Sequence, residues 1–368
     1  MKKKNISLLL VTLLVMLSSC SEFYSDEQYE HYVSFKAPTS TVSRIRLKYR
    51  KGQPSPYRLP LIVAGSTMNN KDIDVHVGID NDTLDIYNYE HYYEREDLYY
   101  KQLPENFYSI PNYDIHISAG ECQALMDINF NFNGLDLSEK WVLPLIIKDD
   151  PSYNYTSHPR KNFNNALLWI TPFNDFSGNY GTTALNVFPE DTNKPLVVDT
   201  REAYVVDENT IFFYAGAIKE KRTDRRKFKI YATFNQDPDD KMKGTVELRA
   251  ENPNIEFESK KQATYEISEM MDASRPALMR RTVTIRELNY TFVDPWETQG
   301  YTAHYRVEGS MTMQRNINTL IDDEEFAIEW RCVKMRTFFF LSTKPRLSQA
   351  GALLLPKDFV SLGIRFSL

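Results

Sequence analysis

Tyr301-Thr302-Ala303-His304-Tyr305-Arg306-Val307-Glu308-Gly309-Ser310-Met311-Thr312-Met313 is the stretch that decides the fold. Tyr301, Ala303, Tyr305, Val307, Gly309, Met311 and Met313 alternate with Thr302, His304, Arg306, Glu308, Ser310 and Thr312. A side-chain period of two sustained over this length belongs to a strand with one buried and one wet face, not to a helix. Long antiparallel strands joined by short polar turns lose their exposed edges by closing into a barrel.

The same signal recurs on the N-terminal side of this strand. Val283 and Ile285 alternate with Thr282, Thr284 and Arg286, while Phe228, Ile230, Ala232 and Phe234 alternate with Lys229, Tyr231 and Thr233. Residues 182–188, 205–215 and 245–250 add further strands. Residues 173–330 therefore read as an all-β domain, an antiparallel barrel or a jelly-roll sandwich. The opening Gly178-Asn179-Tyr180 is similar to that of lipocalin-like barrels.

Further upstream the strands are shorter. Ile45, Leu47 and Tyr49 alternate with Arg44, Arg46, Lys48 and Arg50, and Ile73, Val75, Val77 and Ile79 alternate with Asp74, His76, Gly78 and Asp80. Similar runs cover 113–118 and 126–132, and residues 57–64, 141–148 and 166–171 complete the set. That number and spacing predict an immunoglobulin-like β-sandwich over residues 32–172. Residues 85–108, rich in Tyr and acids without strict alternation, read as a long loop with a helical turn that tacks its tyrosines onto the sandwich, with a sugar-stacking platform as the alternative. Trp141 and Trp169, each inside an apolar run, are expected in the core. Residues 149–159, with Pro151 and Pro159, are turn chemistry.

The chain begins with Lys2-Lys3-Lys4, an apolar run from Ile6 to Leu17, and Ser18-Ser19-Cys20. A basic region, an apolar region and a small-residue cleavage site make an export signal, here residues 1–19. The apolar run is shorter than the roughly 20 residues that span a bilayer. Leu17-Ser18-Ser19-Cys20 resembles the lipobox of bacterial lipoproteins, which implies diacylglyceryl attachment at Cys20 and a membrane partner for the mature chain. Ser21-Glu22-Phe23-Tyr24-Ser25-Asp26-Glu27, within a tether of residues 20–31, is similar to the acidic leader of surface-exposed lipoproteins, which implies an outer-membrane location facing the cell exterior. With Cys20 lipidated, Cys122 and Cys332 remain, and they read as free buried thiols rather than a disulfide.

Net charge is −6 over 368 residues, unevenly distributed. Residues 331–368 hold seven basic residues against Asp358 alone, a local +6 that leaves −12 on the rest. An acidic body argues against a nucleic-acid partner. The basic extension of residues 331–368 has no clear pattern; a loose tail or a final strand through Phe338-Phe339-Phe340 are the two readings.

Leu59-Pro60-Leu61-Ile62-Val63-Ala64-Gly65-Ser66-Thr67, Leu98-Tyr99-Tyr100-Lys101-Gln102-Leu103-Pro104, Ile117-Ser118-Ala119-Gly120 and Trp141-Val142-Leu143-Pro144-Leu145 resemble a surface lipoprotein family of glycan-foraging gut bacteria of the Bacteroidetes type. Its N-terminal domain is immunoglobulin-like and of unknown function, and its members are encoded near SusC/SusD-type glycan importers. The resemblance covers residues 30–330 and implies a non-catalytic accessory protein, with an oligo- or polysaccharide and such an importer as partners.

No GxSxG, HExxH or phosphate-binding glycine loop occurs, and no cofactor or metal motif. His76 and His116 approach across strands but read as solvated side chains rather than a metal pair. Glycoside hydrolysis needs only two carboxylates about 5 to 9.5 Å apart, so it stays as an alternative. The DxxDxDxE motif of the endo-β-N-acetylglucosaminidases that carry a related domain is absent, and the residues after the linker are too few for a catalytic (β/α)8 barrel.

The candidate ligand site is Val293-Asp294-Pro295-Trp296-Glu297-Thr298-Gln299-Gly300-Tyr301. Lying between two strand signals, it places Trp296 in a turn, either as a flat indole for the C–H face of a sugar or folded back over the barrel end. Asp294, Glu297, Gln299 and Tyr301 would serve hydroxyl groups beside it. The basic run over residues 219–227 reads as a solvated hairpin tip, with an anionic glycan or lipid headgroup as the alternative ligand. A glycan-binding protein and a docking subunit that binds no sugar are the two functional expectations.

Overall fold

The computed structural model describes residues 30–36, 41–160, 163–190, 192–298 and 300–330. The export signal, Cys20, most of the tether, Gln299, Cys332 and the basic extension lie outside the described residues.

The N-terminal part is a two-sheet sandwich. Its strands are β1 (Tyr32–Phe35), β2 (Val42–Lys48), β3 (Ser55–Ala64), β4 (Ile73–Ile79), β5 (Tyr100–Gln102), β6 (Tyr108–Ser109), β7 (Asp114–Ile117), β8 (Gln123–Phe130), β9 (Lys140–Ile147), β10 (Thr156–Ser157) and β11 (Asn165–Phe173). One sheet runs β10-β1-β3-β8-β6 and the other β2-β11-β9-β4-β7. This is the immunoglobulin strand order, with β2 parallel to β11 along one edge. Val33, Leu61, Met126 and Ile128 from the first sheet meet Ile45, Val75, Leu143, Leu145 and Ile170 from the second in one core.

The Tyr-rich segment departs from the expected loop. Asn81–Tyr92 is a 12-residue helix, α1, whose first turn is closed by the Asp80 side chain accepting from Thr83 N–H at 3.1 Å. Only Leu84 and Asn88 along it are buried, so the apolar stripe that announces a helix is missing. Leu84 packs with Val142 and Leu167 on the outer face of β9 and β11. Those strands are thus covered on both sides, which is why they read as continuous apolar runs. The chain then returns as β5, parallel to the start of β9, taking the place beside β9 that β4 leaves at Ile79.

Trp169 and Trp141 are half-buried and not in the sandwich core as expected. Trp169 packs on this outer layer against Tyr100, with Arg44 over its ring at 4.6 Å. Trp141 donates its indole N–H to Asp136 O at 2.7 Å at the sandwich margin. The sole described cysteine, Cys122, is free and half-buried.

The C-terminal part is a closed antiparallel barrel. It contains β12 (Gly178–Gly181), β13 (Leu185–Pro189), β14 (Thr200–Val205), β15 (Thr210–Tyr214), β16 (Lys229–Gln236), β17 (Lys243–Ala250), β18 (Glu258–Ser259), β19 (Ala263–Met271), β20 (Leu278–Thr298), β21 (Tyr301–Asn318) and β22 (Ile328–Glu329). The order β12-β14-β15-β16-β17-β19-β20-β21 closes where β21 pairs with β12. The far edge of β21 is covered in series by β13, β12 and β22. Two expected strands divide: the 205–215 run is the hairpin from β14 to β15, and the 182–188 run keeps only β13 after a turn. Tyr180, Phe213, Phe228, Ile230, Tyr290 and Phe292 belong to the cluster that fills the barrel.

Gly309 marks the tightest approach in this wall. Its φ of +132° and a Cβ that would lie 2.0 Å from Ala184 O leave room for glycine alone. Opposite it, β20 carries a bulge between Ile285 and Leu288, with Glu287 at φ +60°.

Sandwich and barrel belong to one compact unit. Val205 of β14 enters the sandwich core. Arg44 meets Glu202 at 3.1 Å and Arg50 meets Glu325 at 2.6 Å, beside the short helix α2 (Glu324–Ala327).

Candidate functional site

Trp296 lies in strand β20 rather than in a turn. The β20/β21 register jumps from Asp294↔Ala303 to Thr298↔Tyr301, so Pro295, Trp296 and Glu297 form a bulge opposite one partner residue. Proline lacks the N–H that a regular ladder would require there. The reversal itself falls later, at Gly300 with φ +81°. Bulges re-aim side chains, and this one lays the indole edge-on to Phe228, ring centroids 5.6 Å apart at 87°. Lys227 Nζ sits 4.1 Å over the indole. Half-buried and packed on the barrel core, the indole takes the second of the two placements expected, folded back against the barrel.

Asp294 serves the site differently from the expectation. It has no exposed surface, and a buried carboxylate requires a charged partner. Arg222 provides it through both terminal nitrogens, Nη2 lying 3.0 Å from Oδ1. Asp294 Oδ1 also accepts the Trp296 N–H at 3.0 Å, which fixes the bulge. Arg222 Nε reaches Asp224 at 2.6 Å, and its guanidinium lies 4.8 Å over Phe228. Asp294 first and Asp224 second hold the guanidinium even more firmly protonated than usual. Asp294 is thus the foundation of the site and has no surface with which to touch a sugar.

Trp296, Arg222 and Asp224, with the covered Asp294 beneath them, line a concavity of about 580 Å3 at one end of the barrel, inside the range of about 300 to 1,000 Å3 for small-molecule sites. Trp296, Tyr305 and Leu196 supply apolar surface, and Tyr305 stacks on Phe292 at 5.0 Å and 17°. Lys219, Lys221, Thr223 and Asp224 supply polar groups from the loop between β15 and β16. Lys227 does not line the concavity. Of the other residues read as a site, Tyr301 is 52% exposed at the start of β21, Glu297 contributes backbone to β20, and Gln299 lies outside the described residues.

The loop is held from below. The buried Arg201 donates to Ile218 O at 2.6 Å and also to Gly216 O, while Gly216 N–H donates to the Tyr290 hydroxyl at 3.1 Å. A Cβ on Gly216 would strike Phe292 at 2.7 Å.

The basic run is not a solvated hairpin tip. Arg225, 7% exposed, pairs with Asp97 at 3.1 Å, Arg226 pairs with Glu139 at 2.6 Å, and Lys229 lies 3.7 Å from Asp136, all across to the sandwich. Arg95 from the sandwich donates to Lys221 O at 2.8 Å. One loop therefore builds the concavity with its first half and grips the other domain with its second.

The two histidines face carboxylates across the antiparallel β4/β7 pair, His76 to Asp114 at 2.6 Å and His116 to Asp74 at 2.8 Å. Asp74 raises the His116 pKa above its usual value. Among the described residues no three His, Cys, Asp or Glu side chains are grouped to hold a metal ion.

The fold and the concavity define a two-domain β protein with a small-molecule-sized surface site. Residues 24–151 match the family described as a domain of unknown function, DUF4973, and residues 164–312 match a second family, a C-terminal domain. No curated protein matches the chain. The chain is similar to an auxiliary nutrient binding protein from Bacteroides thetaiotaomicron, 38% identical over 82% of this chain and 100% of that one, with a TM-score of 0.72. It is also similar to a protein of unknown function from Bacteroides ovatus, at 42% identity over 81% of this chain and 100% of that one, TM-score 0.72. A multidomain protein including DUF1735 from Bacteroides ovatus is 41% identical over 81% and 100%, TM-score 0.71. The chain belongs to the same family as these Bacteroides proteins, and its own residues 24–151 carry the DUF4973 match.

Proposed function

We propose that the protein is a non-catalytic nutrient-binding lipoprotein that captures oligosaccharides at the barrel-end concavity. The observation that carries this is the meeting of Trp296 and Tyr305 with Lys219, Lys221, Thr223 and Asp224 around one open volume. Aromatic surface against the C–H face of a pyranose, with polar groups at the rim for hydroxyls, is what a sugar requires. The nutrient-binding description of the Bacteroides thetaiotaomicron relative supports the reading. In this proposal diacylglycerol on Cys20 holds the protein on the outer face of the outer membrane, beside a SusC/SusD-type importer, where tethering raises the local concentration of a weak binder.

A docking subunit that binds no sugar is the second reading. It is favoured by the exposed Ile86, Tyr89 and Tyr93, which share one face of α1 and its cap.

Affinity electrophoresis of the full chain, purified in detergent, through gels containing each of a panel of polysaccharides separates the two. Retardation by a glycan that falls at least about tenfold in Trp296→Ala supports the first reading. Retardation by none supports the second, and release of reducing sugar overturns both. Loss of membrane retention in Cys20→Ser tests the anchor.

A further inference from the structure

We infer that the concavity selects acidic oligosaccharides, with Lys219 and Lys221 reading the carboxylate of a uronic acid or a sulfate ester while Trp296 and Tyr305 hold the ring; this rests on the binding reading above.

Seven cations lie between residues 219 and 229. Five have partners: Arg222 with Asp294 and Asp224, Arg225 with Asp97, Arg226 with Glu139, Lys227 with the Trp296 ring, and Lys229 with Asp136. Lys219 and Lys221 are exposed and have no counter-ion among the described residues. These two are also the members of the run, besides the neutralised Arg222, that line the concavity. Arg222 with Asp224 and Asp294 sums to −1, so the charged groups lining the concavity total +1, and the cations left without a counter-ion to meet a ligand are the two ammonium groups.

The setting amplifies their effect. Residues 1–330 carry a net −12, so the concavity is a positive spot on an acidic body, and a concave wall concentrates the field. The backbone beneath the lysines is fixed before any ligand arrives. Arg201 holds the carbonyls of Gly216 and Ile218, Arg95 holds that of Lys221, and Arg222 N–H donates to Lys219 O at 3.0 Å. Preorganised backbone with free side-chain tips lowers the entropic cost of gripping an anion. Two ammonium groups two residues apart suit an anionic substituent on a ring whose apolar face lies on Trp296 and Tyr305.

The test is an array of neutral and acidic oligosaccharides probed with the full chain in detergent. Binding confined to glycans bearing carboxylate or sulfate is expected, weakening as salt rises from about 0.05 to about 0.5 M. Lys219→Met with Lys221→Met should reduce it at least about tenfold, whereas Lys51→Met with Lys241→Met, the same charge change elsewhere, leaves it unchanged. Loss of binding on chemical reduction of carboxylates assigns the contact to a uronic acid, and loss on desulfation assigns it to a sulfate ester. Binding to neutral glycans alone, or binding indifferent to the Lys219/Lys221 pair, overturns the acidic selectivity and leaves sugar capture standing. Binding to no glycan removes both.

Discussion

Arg222 reaches 72 residues along the chain to hold Asp294, a carboxylate without exposed surface, in a two-pronged ion pair. The two partners are not equally dependent. Arg222 keeps 21% side-chain exposure and a second carboxylate in Asp224, while Asp294 has only the Trp296 N–H besides. Breaking a buried pair from one side costs about 3 to 5 kcal/mol because the survivor is left uncompensated. Arg222→Met is therefore expected near that range and Asp294→Ala well below it. Arg222→Met with Asp294→Leu should recover much of the loss. Urea midpoints at unchanged m read the difference.

Gly309 sits where the backbone of Ala184 and Leu185 comes closest to β21. Alanine there would put its Cβ 2.0 Å from Ala184 O, far inside van der Waals contact, and must also adopt φ +132°, so Ala184 and the pairing of β13 have to move. Gly309→Ala should destabilise by more than about 3 kcal/mol, against about 1 kcal/mol or less for Gly52→Ala, whose Cβ meets nothing. Thermal unfolding of the two variants side by side separates crowding from backbone conformation, since both positions have positive φ.

Asp97 predicts how acid acts on the domain interface. Its pKa is lowered from 3.8 to about 2, first by the hydrogen bond from Arg95 and also by that from Arg225. A carboxylate with a depressed folded pKa contributes stability that is present above the unfolded value and lost as pH falls through the folded one. The wild type should thus be more stable than Asp97→Asn at neutral pH, with the gap shrinking between about pH 4 and about pH 2. Urea titrations across that window check it. A gap independent of pH would assign the effect to packing of Arg225 instead.

Legibility in the sequence followed the range of each interaction. The β21 alternation is local, and it predicted a strand that the barrel contains in full, Tyr301–Asn318. Helix α1 escaped because Asn88, one of its two buried residues, is polar and bonds both ways with the Tyr100 backbone, an interaction that no apolar period reveals. The Asp80 cap was the available signal. Trp296 was legible as an unusual residue beside a proline, but its neighbours Phe228 and Lys227 arrive from another hairpin. The basic run misled for the same reason: its charges are visible in sequence, while Asp97 and Glu139, which neutralise two of them, belong to the other domain. Lys219 and Lys221 become conspicuous only once their neighbours' partners are known.

Lys140 offers a second pH test, at the alkaline end, in which burial penalises the charged form. It stands at the start of β9 between the rings of Tyr92 and Tyr100, 4.7 and 4.9 Å away, and donates to Leu98 O at 2.8 Å. Burial foremost, and then Arg225, lower its pKa from 10.5 to about 8. Between those two values the unfolded chain holds a proton that the folded protein has released, so stability rises with pH; below the lower one both states are charged and the fold bears the full cost of burying the ammonium. Lys140→Met removes that cost and with it the pH dependence. The wild type should therefore gain on the variant from about pH 8 to about pH 9.5, a window chosen below the ionisation of ordinary tyrosines. Parallel slopes for the two proteins across it would mean that Lys140 stays fully protonated in the fold, with the two rings and the Leu98 carbonyl compensating its burial.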